Sequence, residues 1–270
     1  MEGDPRVKPA PFDYVAPRSL DEAVGLLGEE AKALAGGQSL VPLLNFRLAR
    51  PDLIVDINGL SELDRLGRDD GVLRIGALTR QSALERSDLV AAGWPLLSRA
   101  VRFVGHPQIR SRGTVGGSVA HADPAAELPV ALAALDARFT AQSPRGRRTL
   151  GAGELFIGPL TTALEPDELL IEIEVPSPPE GAGSAFVEHA RTHGDFAIAG
   201  AAAVVGGGHA AVALLGAGPT PVRSDAAERA LVDGAEPEEA AALAASSVED
   251  GSRRALIAEL VRRASEEAAR

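Results

Sequence analysis

Apolar and polar positions fall into three stretches of different rhythm. In the first, Asp13-Tyr14-Val15-Ala16-Pro17 reads as extended chain. Ser19-Leu20-Asp21-Glu22 opens a helix over Ala23 to Leu27, with Ser19 as N-cap and Glu22 as its capping-box partner. Ala31 to Ala35 predicts a short apolar strand that runs into Gly36-Gly37. Ser39-Leu40-Val41-Pro42 predicts a second helix, which tolerates Pro42 in its first turn and ends near Ala49, before Pro51. Leu53 to Ile57 predicts a buried strand.

The second stretch begins near Leu60. Gly71 to Gly76 alternates as a strand, and helices are predicted from Thr79 to Leu84 and from Leu96 to Val104. Asp123-Pro124 predicts an N-cap and first turn for a helix that includes Glu127. Strands follow over Ala137–Ala141, Arg147–Leu150 and Leu169–Val175, and Pro176 to Gly181 has the composition of a linker. The last stretch predicts strands near Ala185–Ala190 and Ala197–Val205. A hairpin at Gly206-Gly207-Gly208 then leads into Ala210–Leu215. Helices Ser224–Val232, Pro237–Ser246 and Arg253–Arg270 close the chain, the last with Leu256, Ile257, Leu260, Val261 and Ala264 at helical spacing.

Two short motifs interrupt this pattern: Ala35-Gly36-Gly37-Gln38-Ser39 and Thr114-Val115-Gly116-Gly117-Ser118. Adjacent glycines let successive amides converge on one concavity, since no Cβ obstructs the backbone or an approaching ligand. Hydroxyl residues beside a helix start add to that attraction for an anion. One such motif is a turn. Two built alike point to a clamp for a pyrophosphate.

Composition narrows the chemistry. The 270 residues are 45% apolar and 24% charged, as in a globular protein, and the net charge of −11 excludes a nucleic-acid partner or an anionic membrane surface. No apolar run is long enough for a transmembrane segment, and Met1 to Pro11 carries charges and prolines where a leader would be apolar, so a cytoplasmic location is expected. With no cysteine, this chain holds no iron–sulfur cluster or disulfide. The only lysines, Lys8 and Lys32, lie outside any G-K-[ST] context, so amides, hydroxyls or arginines must neutralise a bound phosphate. The Rossmann G-x-G-x-x-G and the hydrolase G-x-S-x-G are absent. The five histidines lack metal-ligand spacing. His121-Ala122-Asp123 follows the second motif and reads either as a surface histidine with a capping aspartate or with Asp123 hydrogen-bonding a ribityl or ribose hydroxyl. Arg110 and Arg112 read as solvated or salt-bridged, and Arg191 to Phe196 as a hairpin loop.

With their flanks, the motifs resemble the FAD-binding medium subunit of molybdenum hydroxylases, the carbon monoxide and xanthine dehydrogenase family. The similar stretches are Ala35 to Pro51, Asp56-Ile-Asn58, Ile75-Gly-Ala77, Pro107 to Ser118, Ala120 to Pro124, Phe156-Ile-Gly158, Glu168-Leu-Leu170 and Gly194 to Gly200, in order over nearly the whole chain. The resemblance implies an α+β fold of the vanillyl-alcohol-oxidase (PCMH) type. Subdomains 1–59 and 60–176 would clasp FAD, and 177–270 would form a C-terminal α+β domain with a small antiparallel sheet. It further implies that Ala35, Gly36, Gly37, Gln38, Ser39 and Leu40, with Thr114, Val115, Gly116, Gly117 and Ser118, hold the pyrophosphate through amides and hydroxyls. His121 and Asp123 would sit on the ribityl or phosphate side. Ile109 and Leu170 would lie near the adenine or isoalloxazine rings, and Ala77 and Thr79 along the same channel.

The implied role is electron transfer, with no catalytic or metal-ligating residue in this chain. A large molybdenum-cofactor subunit would oxidise the substrate, and a small [2Fe–2S] subunit would pass the electrons on. The flavin subunit would deliver them to an external acceptor, the complex being a dimer of heterotrimers. A stand-alone flavin oxidase of the same fold and a flavin-free assembly protein are the alternatives.

Overall fold

The computed structural model describes residues 8–270; residues 1–7, most of the N-terminal stretch read for a leader, lie outside it. Its first unit is built from β1 (Asp13–Val15), α1 (Leu20–Leu26), β2 (Ala31–Leu34), α2 (Leu40–Asn45) and β3 (Leu53–Asp56). The three strands form a parallel sheet in the order β1-β3-β2, with Leu34 in register with Asp56. The carboxyl ends of β2 and β3 therefore lie side by side. Ser19 caps α1 by accepting from the Glu22 amide, as expected. The Glu22 carboxylate, however, accepts from the Arg18 amide, one residue ahead of the cap. The α2 helix stops at Asn45 rather than near Ala49. Arg47 takes a left-handed φ of 57°, and the amides of Leu48 and Ala49 both turn back to the Leu43 carbonyl.

The second unit runs through β4 (Leu66–Asp69), β5 (Val72–Gly76), α3 (Gln81–Arg86), α4 (Asp88–Gly93), α5 (Pro95–Ala100), α6 (Pro107–Arg112), α7 (Val115–His121) and α8 (Glu127–Ala134). It continues through β6 (Arg138–Ser143), β7 (Gly146–Gly151), α9 (Ala152–Leu155), β8 (Phe156–Gly158), β9 (Thr161–Thr162) and β10 (Leu169–Val175). Five of these strands make an antiparallel sheet, β4-β5-β10-β6-β7. Asp123 does not cap α8, whose N-cap is Ala126. The Asp123 carboxylate instead accepts from the Ala125 amide at 2.9 Å in a tight turn before the helix. Trp94 is fully buried, and its indole N–H donates to the Pro176 carbonyl at 2.8 Å, fastening the linker to this unit. Truncating such a side chain to alanine costs about 3–5 kcal/mol.

The third unit is a meander, β11 (Gly183–Ala190), β12 (Ala197–Gly206), β13 (His209–Leu215) and β14 (Val222–Arg223), covered by α10 (Asp225–Val232), α11 (Pro237–Ser246) and α12 (Gly251–Ala268). Side chains alternate along β12. Ala199, Ala201 and Ala203 join a core with α11 and α12, whereas Ala202 and Val204 join the core of the second unit. Among the described residues no helix is long and apolar enough to cross a membrane.

Candidate functional site

A cavity of about 420 Å³ lies at the carboxyl ends of β2 and β3, where a parallel sheet characteristically offers its ligand crevice. It is lined by the Leu34–Gln38 segment, Val41 and Pro42 of α2, Asp56 and Asn58 after β3, and Arg112.

The backbone of the first motif is oriented one peptide at a time. In a trans peptide the carbonyl of one residue and the amide of the next point in opposite directions. The Ala35 carbonyl accepts from the Asn58 side-chain amide at 2.7 Å, the Gly36 carbonyl from the Gln38 side chain at 3.2 Å, and the Gly37 carbonyl from the Val41 amide at 3.1 Å. The amides of Gly36, Gly37 and Gln38 are thereby turned away from those partners. None of these three, nor those of Ser39 and Leu40, donates to an acceptor among the described residues. Gly37 has a φ of 73°, the left-handed conformation that only glycine adopts cheaply. The result is a concave run of free donors at the start of α2, where the helix dipole also favours an anion.

The second motif differs. Instead of an open loop, Val115 to His121 is the helix α7, with Thr114 as its N-cap. Its amides already have partners: Val115 donates to the Thr79 carbonyl, Gly116 to the Ala77 carbonyl, Gly117 to the Thr114 hydroxyl and Ser118 to the Thr114 carbonyl, all at 2.9–3.1 Å. Its glycines serve close packing, since a Cβ on Gly116 would stand 2.6 Å from the Ala77 Cα. The expected pair of amide-lined loops is thus one cradle and one packed helix. The two are nonetheless adjacent. A Cβ on Gly36 would strike the Arg112 carbonyl and stand 2.9 Å from the Gly113 Cα, and one on Gly117 would come within 3.8 Å of the Ala35 side chain.

Of the other expected residues, Ser39 and Leu40 continue the cradle into α2, and Ile109 is partly exposed on α6. Thr79 is buried, its hydroxyl donating to the Arg65 carbonyl at 2.8 Å, and Ala77 packs beneath Gly116. Leu170 is buried within the core of β10 and lies behind the surface rather than on it. His121 ends α7, and the Asp123 carboxylate is engaged in its own turn.

Three residues at the site had no role assigned from the sequence, Asp56, Asn58 and Arg80, while Arg112, expected to be solvated or salt-bridged, is exposed and lines the cavity. The Asp56 carboxylate accepts from Tyr14 Oη at 2.5 Å through one oxygen and from the amide and side chain of Asn58 through the other. Burial pushes its pKa up, but the bonds from Tyr14 and Asn58 and the charge of Arg80 outweigh this and hold it below the usual carboxylate range. The usable signal was the parallel pairing of β2 with β3, which sets Asp56-Ile57-Asn58 beside Leu34-Ala35. Arg110, in contrast, is buried in a bidentate pair with Glu85, one of the two fates expected for it.

A free-amide cradle with Arg112 on its wall, Arg80 beside it and an otherwise engaged carboxylate suits the diphosphate of a dinucleotide such as FAD. The family described as FAD binding domain in molybdopterin dehydrogenase matches residues 10–178. The 6-hydroxypseudooxynicotine dehydrogenase complex subunit alpha of Paenarthrobacter nicotinovorans is 48% identical over 236 residues, covering 84% of this chain and 80% of the relative. Caffeine dehydrogenase subunit beta of Pseudomonas sp. (strain CBB1) is 43% identical over 235 residues, with the same coverage of 84% and 80%. Among solved structures, a chain of carbon monoxide dehydrogenase from Hydrogenophaga pseudoflava, in a form lacking the Mo-pyranopterin moiety of its cofactor, superposes with a TM-score of 0.91 at 38% identity. The match covers 96% of this chain and 98% of that one.

Proposed function

The chain belongs to the FAD-binding family of molybdopterin dehydrogenases, as a medium subunit with FAD as cofactor, and from that premise we propose that it is the electron-transfer subunit of a heteromeric molybdenum hydroxylase. The observation that carries this reading is the run of amides from Gly36 to Leu40 at the mouth of α2 that have no acceptor among the described residues. Gly36, Gly37 and Gln38 hold the diphosphate, and Arg112 supplies a positive side chain on the cavity wall. Asp56 keeps its negative charge beside the ligand, and the donors on both its oxygens together with the charge of Arg80 offset it. Ser118 approaches through its hydroxyl, Thr114 is buried with its hydroxyl capping α7 and holds that helix in place, and Ile109, His121 and Asp123 border the remaining length of the cofactor. Val115, Gly116, Gly117, Ala77, Thr79 and Leu170 support that surface from behind.

Bound FAD supplies a group that exchanges electrons singly or in pairs, so it can join one-electron carriers to a two-electron acceptor. The chain's own contribution is to bind and orient it. A chain without cysteine offers no thiolate for an iron–sulfur cluster, which supports a separate small [2Fe–2S] subunit beside a large molybdenum-cofactor subunit. We assign the complex to the cytoplasm as a dimer of heterotrimers. We divide the chain into 1–59 and 60–176 around FAD and 177–270 behind them, a reading supported by sheets that share no strand between these three segments.

The test is to purify the full chain, record its visible spectrum and measure flavin released on heating. About one FAD per chain, with capture of a molybdenum subunit and a cysteine-rich small subunit, is expected. No flavin after reconstitution overturns the reading in favour of an assembly protein. Turnover of a substrate without partner subunits overturns it in favour of a stand-alone oxidase.

A further inference from the structure

We propose that Asn58 and Arg80 are positioning residues that together fix the direction of the Gly36 amide and the distance between the two glycine motifs. The inference rests on the FAD reading above and assigns a part of the affinity to side chains outside either motif.

The Asn58 side chain uses both ends. Its amide donates to the Ala35 carbonyl at 2.7 Å, more distantly to the Leu34 carbonyl at 3.2 Å, and to Asp56 at 2.7 Å. Its carbonyl accepts from the Arg80 guanidinium at 2.8 Å. Because the Ala35 carbonyl and the Gly36 amide share one planar peptide, holding the first aims the second. Without that donor the peptide is free to rotate, and the leading amide of the cradle loses its orientation.

Arg80 carries the constraint to the other side. A second nitrogen of its guanidinium donates to the Arg112 carbonyl at 2.5 Å, the oxygen against which Gly36 packs without room for a Cβ. Its backbone is itself anchored by a bridge to Thr114, the N-cap of α7. The β2–α2 motif, the turn after β3, the start of α3 and the α6–α7 junction thus meet through two side chains. Only a planar fork reaches two acceptors in fixed directions, and only a side-chain amide offers donors and an acceptor at once.

The experiment is a titration of the flavin-free full chain with FAD, read by quenching of flavin fluorescence. Each variant's melting curve is recorded to confirm that it is folded at the titration temperature. Asn58→Asp keeps the size and loses the donors, while Arg80→Gln cannot span both acceptors. Each is expected to raise the FAD dissociation constant about ten- to thirtyfold, and Arg80→Lys, with one donor in reach, about threefold. A purely structural role lowers the melting temperature without changing the affinity of the folded chain. Dissociation constants within about twofold of wild type in folded variants overturn the proposal and leave the FAD reading intact. A wild-type chain that takes up no FAD overturns both. Should Asn58→Asp not fold, the two Arg80 variants decide.

Discussion

The Arg112 carbonyl oxygen occupies the space where a Cβ of Gly36 would stand. The obstacle is backbone, held in place by Arg80, so it has no rotamer by which to retreat. We expect Gly36→Ala to cost about 1–3 kcal/mol in denaturant unfolding and to abolish flavin retention. Gly153→Ala, on the short helix α9 with nothing within 4 Å, is the control, and should be neutral or raise stability by about 0.5–1 kcal/mol. Equal behaviour of the two variants contradicts the packing argument.

Arg112 is the one cation among the described residues that line the cavity. Replacing it with glutamine should weaken FAD binding about tenfold, and the dissociation constant should then depend less on ionic strength. Glutamate, which sets a second carboxylate beside Asp56, should weaken it further. Titrations at two salt concentrations check both statements, and a salt response equal to that of the wild type refutes a charge role.

Two carboxyl groups, Glu127 at the start of α8 and Glu188 on β11, interact electrostatically. Glu127 is buried, and that burial, opposed by its own backbone amide and reinforced by Asp123, pushes its pKa up to about 7. Glu188 is pushed up to about 8, by burial first and by Glu127 second, and its Oε2 has no hydrogen-bond partner among the described residues. The folded chain therefore keeps protons that the unfolded chain releases. Stability should fall as pH rises from the ordinary glutamate value of 4.5 toward about 8. Glu127→Gln should melt above the wild type at pH 8, by roughly 3 kcal/mol of stability at most, and the advantage should vanish near pH 4.5. An advantage that does not change with pH argues against a buried proton.

Arg110 makes two bonds to Glu85, at 2.9 and 3.0 Å, and two to the carbonyls of Val104 and Gly105. Glu85 is held below the usual carboxylate range by the hydrogen bond from Arg110, against its own burial. Arg110→Met strands one carboxylate and two carbonyls, and should cost about 3–5 kcal/mol in chemical denaturation. Adding Glu85→Gln should recover part of that loss, since the abandoned charge is then gone.

What could be read from the sequence was local. Leu169–Val175 and Pro237–Ser246 are elements whose ends the residues themselves mark, a continuous apolar run before Pro176 in one and a proline at the first helical turn in the other. β4, Leu-Gly-Arg-Asp, escaped notice because it is an edge strand, with one partner and polar side chains that face outward. The second glycine motif reads as a loop by propensity. It is helical because Gly116 alone can lie against Ala77, a contact across nearly 40 positions. The residues that aim the cradle were out of reach for the same reason. Nothing near Asn58 in sequence says that its amide meets Ala35, or that its carbonyl meets Arg80.

The alternation along β12 gives the molecule a party wall one strand thick, built mostly of alanine. One face belongs to the cofactor-bearing body and the other to the helical layer. Neither room can be emptied while the other stands, since removing either lining exposes the shared partition. Heat should therefore take the two down together, as a single calorimetric peak whose van't Hoff and calorimetric enthalpies agree. The wall is also two-sided in a usable way. A larger side chain at Ala201 presses only on the helices, and one at Ala202 only on the body that carries the flavin.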